Sequence, residues 1–284
     1  MVLMVFAFSG LSAEPWEKSF DLGLNLTQTA YSDSWTGGEA GNLTWVAKAE
    51  GIFQKQASPK FNFKSTLKFA FGQTHTQDND TKEWAKPVKS TDKIDIENLG
   101  RFTLDAIVDP YAAVRFESQF LDASVDSIKR YINPILLTES VGISKVLYSD
   151  EKDELLSRLG FALKQHITSE IVDTSLAEKE WETTTDGGLE SVTDFNFVLS
   201  EQLKYVGKLS LYKAFFFSKK DDLKGTPEED YWKAVDVNFE NTISASVAKY
   251  IEVSLYIQLL YDKQIDKRTR LKETLALGLT YKLF

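Results

Sequence analysis

The chain has 284 residues, of which 43% are hydrophobic and 26% charged, and its formal net charge is -9. This negative charge argues against nucleic-acid binding, which needs many cationic side chains facing the phosphates. Because the chain has no cysteine and two histidines, we expect no disulfide framework, no metal site and no bound cofactor.

The first thirteen residues form an apolar run that ends in Leu11-Ser12-Ala13 and is followed by Glu14-Pro15. A short apolar segment before small residues is typical of a secretory signal peptide and its cleavage site, and this one is too short to span a membrane as a helix. We predict that residues 1–13 are the remnant of a signal peptide and that residues 14–284 form the exported domain. A buried first strand is the alternative.

Beyond this segment, apolar and polar residues alternate with period two in twelve segments, which is typical of β-strands. The last segment is longer than an ordinary globular strand and ends on Phe284. In the sixth segment, Glu139 falls in phase with the apolar residues rather than with the polar ones. The twelve segments are residues 20–27, 43–53, 61–71, 94–105, 112–120, 135–147, 158–167, 190–199, 203–217, 235–243, 251–261 and 269–284.

The connections between these segments alternate in length. Long or polar connections are predicted after the odd segments, at residues 32–41, 74–91, 121–133, 169–187, 218–230 and 262–268. Short connections are predicted after the even ones, near residues 56–59, 108–110, 149–153, 200–202 and 246–248. Outer-membrane barrels have short periplasmic turns and longer outer loops, so this pattern favours a barrel over a β-sandwich.

A closed sheet satisfies every backbone hydrogen bond inside a bilayer, provided that its outer face is apolar. The alternation also allows a soluble barrel with an apolar lumen. However, the apolar face repeats large Phe, Leu and Trp residues, which have too much volume for a small barrel interior. We therefore predict an all-β protein, a single closed up-and-down antiparallel transmembrane β-barrel of about 12 strands in the outer membrane of a Gram-negative cell.

The opposite face of the predicted strands carries many charges, which are the candidate lumen-lining residues. They could select solutes as fixed charges do in pores, or they could pair with one another and fill a lumen narrower than that of the larger porins. The spacing of Lys48 with Glu50 and of Arg115 with Glu117 favours pairing. The candidates are Lys48, Glu50, Lys64, Lys68, Asp95, Glu97, Arg101, Arg115, Glu117, Arg158, Lys164, His166, Asp194, Asp236, Glu240 and Glu252.

The first long connection is a candidate binding loop, because Gly-Gly allows close backbone approach and the neighbouring Trp and acidic residues could shape a surface. The alternative is a tight turn whose Trp packs into the barrel mouth. The candidate loop residues are Asp33, Trp35, Gly37, Gly38 and Glu39.

Four short motifs resemble the DUF3078 family, outer-membrane β-barrels of Bacteroidetes, Chlorobi and related bacteria. They are Asn25-Leu26-Thr27-Gln28, the Trp35-Thr36-Gly37-Gly38 loop, Asp92-Lys93-Ile94-Asp95 and Gln258-Leu259-Leu260-Tyr261-Asp262. The resemblance implies a fold and a cellular location. It carries over no catalytic residue, because no activity is established for the family.

These features predict a narrow pore or a solute- or ligand-handling barrel whose substrate the sequence does not identify. The alternative is a structural or accessory barrel that binds a partner through its extracellular loops. A hydrolase that uses His166 as a base is less favoured, because no Gly-x-Ser-x-Gly motif is present. We expect a monomer without enzymatic activity that contacts the lipid bilayer, the barrel-assembly machinery and a solute or protein partner.

Overall fold

The computed structural model contains fourteen β-strands within the residues it describes, and twelve of them close into an antiparallel barrel. The predicted closed barrel of twelve strands is therefore confirmed. The described residues are 15–32, 40–104, 106–125, 128–174 and 177–284. The strands are Glu17–Thr29 (β1), Asn42–Ser58 (β2), Phe61–Thr76 (β3), Val88–Arg101 (β4), Asp109–Ser118 (β5), Leu121–Val125 (β6), Ile128–Tyr131 (β7), Ile135–Ser149 (β8), Glu154–Asp173 (β9), Glu178–Val198 (β10), Leu203–Phe217 (β11), Val235–Ala248 (β12), Ile251–Asp262 (β13) and Asp266–Lys282 (β14).

Neighbouring barrel strands are also neighbours in the chain, except that β6 and β7 form a separate hairpin between β5 and β8. The barrel closes where β1 pairs with β14. A short 3-10 helix, Tyr231–Lys233, precedes β12. Among the described residues, no helix is both long enough and apolar enough to cross a membrane.

The barrel has two ends, which differ in their connections. We call the end that holds Glu17 and Lys282 the terminal rim and the opposite end the loop rim. The predicted alternation of loop lengths is wrong in three places. Residues 169–173 and 178–187 continue β9 and β10 as paired strands, and residues 263–265 make a short turn. At the terminal rim, seven residues separate the end of β4 at Arg101 from the start of β5 at Asp109. The polar sequence of residues 169–187 predicted a loop. Strands that have water on both faces need no apolar residues, so a polar sequence does not exclude pairing.

The outward face of the barrel is apolar over a limited height. On the outward phase, Asp92, Glu139, Lys213 and Glu273 each lie nine or ten residues from the end of their strand at the terminal rim. Below this level, the outward phase is interrupted by Lys145 and, close to the rim, by Lys18 and Lys55. A tilted strand rises about 2.5 Å per residue along the barrel axis, so the apolar band below the first four charges is about 25 Å high. Such a band matches the outward apolar belt of a transmembrane barrel.

Aromatic rings gather at both edges of this band. Near the terminal rim the rings of Phe197 and Tyr205 stack at 6.4 Å, and those of Tyr250 and Tyr281 stack at 6.2 Å. Near the loop rim, Phe71 contacts the rings of Trp45 and Phe120. Aromatic girdles at two levels are typical of transmembrane barrels, because these rings are favoured at membrane–water interfaces.

Alternation along the predicted segment 203–217 puts Phe217 on the outward face together with Phe215, and this prediction is wrong. The pairing of β10 with β11 shifts at Gly187 and Gly188, so that one extra residue of β11 has no partner there. Such a bulge exchanges the faces of the residues that follow it. As a result Phe215 and Phe216 are both exposed outward, whereas Phe217 turns towards Trp232.

Candidate functional site

The lumen is crossed by an ion pair between two opposite strands. Lys93 on β4 and Glu240 on β12 are six strands apart in either direction around the barrel, and their charged atoms are 3.1 Å apart. The Asn238 amide also donates to Glu240, at 3.3 Å, from two residues away on β12. Two side chains from opposite walls therefore meet across the lumen at this level.

A second group of ions lies beside this bridge and is buried. The Arg158 guanidinium on β9 donates to Glu97 on β4 at 2.5 Å and to Asp194 on β10 at 3.1 Å. Lys208 on β11 also donates to Glu97. Arg158 is 3% exposed and Glu97 8% exposed. Buried ions of opposite sign must be paired and hydrogen-bonded to be tolerated, and here each contacts at least one of the other sign.

Further contacts around Asp95 connect the Lys93–Glu240 bridge to β5. The Arg115 guanidinium binds Asp95 through two parallel hydrogen bonds of 2.9 Å and lies 3.0 Å from Glu117. Lys93 lies 3.3 Å from Asp95. Paired contacts between a guanidinium and a carboxylate fix both the distance and the orientation of the groups. The Lys93 group thus links β4, β5 and β12, and the Glu97 group links β4, β9, β10 and β11. The two groups share strand β4, and together we call them the central network.

Directly below the central network, towards the terminal rim, four residues form an apolar layer in the lumen. Leu99, Tyr111, Ala113 and Leu156 are all nearly buried and pack together. The Arg158 guanidinium lies 5.7 Å from the centre of the Tyr111 ring. This apolar layer excludes water from one side of the ions and so strengthens their mutual attraction.

Above the central network, the lumen opens into a vestibule near the loop rim. The Tyr212 hydroxyl donates to Asp186, and His166 Nε2 lies 3.6 Å from the same carboxylate. The Lys164 ammonium lies 3.5 Å from the centre of the Tyr212 ring, a cation–π contact. Trp232, from the connection after β11, packs against Tyr212 and closes part of the mouth. A pocket of about 260 Å³ lies at this level and is lined in part by Glu117 and His166.

The predicted lumen residues fall into distinct environments. Those in the central network are Asp95, Glu97, Arg115, Glu117, Arg158, Asp194 and Glu240. Lys164, His166 and Asp236 lie around Asp186 in the vestibule. Lys64 pairs instead with Glu154 at 2.8 Å, near the terminal rim.

The remaining predicted residues are not brought into the central network. Arg101 is buried near the terminal rim with its Nη1 atom unpartnered. By their positions in the strands, Lys48, Glu50, Lys68 and Glu252 lie on the walls formed by β2, β3 and β13. The candidate loop residues Asp33, Trp35, Gly37, Gly38 and Glu39 and the predicted signal segment 1–13 lie outside the described residues.

Sequence reasoning missed five residues that shape the lumen: Lys93, Lys208, Asp186, Tyr212 and Trp232. The first four share the phase of the polar face, which was the signal that could have identified them. Trp232 carried no signal, because it reaches the barrel from a connection. In the described part of the chain, no group of three or more His, Cys, Asp or Glu residues is arranged to hold a metal ion.

The β6–β7 hairpin is held to the edge of β9 beyond the start of β8 by a small polar cluster. Asp122 accepts a hydrogen bond from Asn133 at 2.7 Å and forms an ion pair with Arg130 at 2.6 Å. Asn133 and Arg130 in turn bind the backbone of Ser169. Burial acts to raise the pKa of Asp122, but the hydrogen bonds from Ser124 and Asn133 and the charge of Arg130 hold it below its usual range.

Replacing Asp122 should release this hairpin. In Asp122→Ala, Arg130 and Asn133 lose the acceptor that orients them, so we expect backbone amides of β6 and β7 to exchange about tenfold faster. Exchange in the barrel strands should not change. Hydrogen exchange followed by mass spectrometry measures both, with Asp221→Ala in an exposed connection as the control. Unchanged protection of the hairpin in Asp122→Ala would show that the cluster does not hold it.

Comparisons with known proteins give a family and several solved structures. The model of a family described as a protein of unknown function (DUF3078) matches residues 26–123, which confirms the predicted resemblance over that region. The chain is similar to the COG4313 outer membrane channel from Pseudomonas putida F1, with 12% identity, 93% of each chain covered and a TM-score of 0.41. It is also similar to the translocator domain of autotransporter NalP from Neisseria meningitidis, with 8% identity, 96% of this chain and 89% of that chain covered, and a TM-score of 0.36. No curated protein sequence matches the chain significantly.

Proposed function

We propose that this chain is an integral outer-membrane barrel whose lumen is closed at rest and which handles a ligand rather than serving as an open diffusion pore. The outward apolar band of about 25 Å, with aromatic rings at both edges, supports the membrane placement. The alternation of apolar and charged residues along each strand supports the same placement, because the closed barrel puts the charged side chains in its lumen and the apolar ones on its outside. We expect a monomer that the barrel-assembly machinery inserts.

The observation that carries the closed state is the contact of Lys93 with Glu240 from opposite walls. In an open pore, charges line the walls at a distance from one another and leave water between them. Here the Glu97–Arg158–Lys208 group fills the lumen beside that bridge, and an apolar layer lies beneath it. The vestibule above remains accessible from the loop rim, so it is the part of the lumen that a ligand would reach first.

Conductance in a planar bilayer tests the closed state. We expect the wild-type protein to give no unitary steps, because ions cannot pass a bonded network without breaking it. In the double variant K93A/E240A the bridge across the lumen is absent, and we expect discrete steps to appear. K64A/E154A removes a pair near the terminal rim instead and serves as the control. Steady steps from the wild-type protein would contradict a lumen closed at rest.

An accessory role at the cell surface is the second candidate. It is favoured by the β9–β10 hairpin, which extends past the loop rim and leaves Trp181 64% exposed. Exposed aromatic side chains are enriched in protein interfaces. Cross-linking at position 181 in intact cells, with position 224 as the control, would identify a partner bound there.

A further inference from the structure

The seam that closes the barrel is shorter than the strands that form it. Pairing of β1 with β14 runs from Asp21↔Lys282 to Asn25↔Gly278 and stops there. On its other side, β1 pairs with β2 along its whole length, from Glu17 to Thr29. Within the described residues, 26–29 of β1 and 266–277 of β14 therefore have a strand partner on one side only. A split opens between β1 and β14 and widens towards the loop rim.

Asn25 and Gly278 form the lower end of this split. A Cβ atom on Gly278 would lie 1.9 Å from Asn25 Oδ1. The Asn25 side chain thus occupies the space that any other residue at position 278 would need. Because residue 278 is glycine, the Asn25–Gly278 pair can form with the Asn25 side chain packed directly against the backbone of Gly278.

The split begins inside the apolar band. Leu275 and Leu277 lie on β14 between Gly278 and the outward-facing Glu273, and they are 71% and 61% exposed. Backbone groups along an unpaired strand edge cannot remain without a hydrogen-bond partner in hydrocarbon. A polar group must therefore reach this edge, either from the lumen or from an amphiphile in the bilayer.

The lumen side of the split is basic and uncompensated. Arg270 and Lys272 face inward from the free part of β14. Lys48 of β2 also faces inward, opposite Gly23 in the closed part of the seam. None of the three lies within 4.0 Å of a described carboxylate, whereas the central network pairs its cations. The Nε atom of Arg270 is buried and has no hydrogen-bond partner among the described residues.

We propose that the split between β1 and β14 binds a membrane amphiphile with an anionic headgroup, a phosphate or a carboxylate. The headgroup reaches Arg270 and Lys272 through the split, and it supplies acceptors to the free amides of the strand edge. The acyl chain lies along Leu275 and Leu277. This inference rests on the membrane placement in the proposed function, but it does not depend on whether the lumen conducts.

Binding of three probes tests the chemistry. The full chain is placed in phosphatidylcholine nanodiscs and titrated with dodecyl phosphate, dodecanol or inorganic phosphate, and bound ligand is counted by native mass spectrometry. We expect saturable binding of dodecyl phosphate and binding about tenfold weaker for each of the other two, because each lacks one half of the recognised group. Equal binding of inorganic phosphate would indicate a free-anion site and overturn the proposal, as would a dimer in place of a bound amphiphile.

The variant R270Q/K272Q removes the two cations on the split. We expect its affinity for dodecyl phosphate to fall about tenfold, since hydrogen bonds to charged groups are among the strongest. K220Q/K224Q removes two exposed charges from the connection after β11 and should bind as the wild type does. Unchanged affinity in R270Q/K272Q would overturn the proposal.

A reversible cross-link tests the split itself. The chain has no cysteine, and extension of the β1–β14 register places Thr27 opposite Ala276. In T27C/A276C, oxidation should close the split and lower affinity for dodecyl phosphate about tenfold, and dithiothreitol should restore it. T44C/T74C joins a pair that already faces across β2 and β3 and should have no effect. Full binding by oxidised T27C/A276C would overturn the proposal, whereas conductance of the wild type bears on the closed lumen alone.

Discussion

Glu97→Ala is expected to lower the free energy of unfolding by about 3–5 kcal/mol, because it leaves two buried cations without their shared partner. Glu97 accepts hydrogen bonds from both Arg158 and Lys208, and it is 8% exposed. Asp194 remains near both cations, but at 3.1 Å and 3.5 Å it cannot supply the contacts that Glu97 made. The measurement is reversible urea unfolding in lipid vesicles, followed by the loss of the compact band on an unheated gel.

Glu154→Ala is the matched control for this experiment. Glu154 also pairs with a lysine, Lys64, at 2.8 Å, but both side chains are about one-fifth exposed, at 22% and 21%. A pair in contact with water contributes only about 0–1 kcal/mol, so the control should unfold nearly as the wild type does. If the two variants lost equal stability, the central network would not be the buried structure that closes the lumen.

The sequence predicted the strands well because a membrane barrel imposes one rule on every strand. Each must alternate between lipid and lumen, so the apolar phase of segments such as 251–261 and 269–284 was enough to place β13 and β14. The same rule placed Glu139 outward, on the phase of Val141. It failed where no lipid is present: residues 169–173 and 178–187 are paired although their pattern is polar. It also failed at Phe217. The bulge between β10 and β11 reverses the facing of Phe217, but it does not change the apolar–polar period of the sequence.

The lumen was harder to predict than the strands. Alternation tells which residues face inward, but it does not tell which of them meet across the barrel. Lys93 and Glu240 are 147 positions apart in the chain, and their contact follows from closure and stagger of the whole sheet. The nearby pair Arg115 and Glu117 was visible from its spacing. The split at Asn25 and Gly278 was not visible at all, because hydrogen bonding between the first and last strands has no local signature.

Leu159→Arg is expected to cost about 2–4 kcal/mol if the outward face is covered by lipid, since this is the cost of arginine near the bilayer midplane. Leu159 faces outward on β9 between Ile143 and Ser191 of the adjacent strands, and it is 46% exposed. It lies five residues above the start of β9 at Glu154, and at about 2.5 Å per residue this is near the middle of the apolar band. In water the same substitution would cost little.

Val172→Arg provides the comparison on the same strand. Val172 is 53% exposed, close to the exposure of Leu159, but it lies beyond the loop rim in the β9–β10 hairpin. There we expect a change within about 0.5 kcal/mol, as for most exposed substitutions. Urea unfolding of both variants in vesicles gives the two free energies, and the same pair in detergent micelles shows how far the difference depends on a bilayer. A cost that is equal at both positions would mean that Leu159 does not face lipid, and the membrane placement on which the proposed function and the β1–β14 site rest would have to be abandoned.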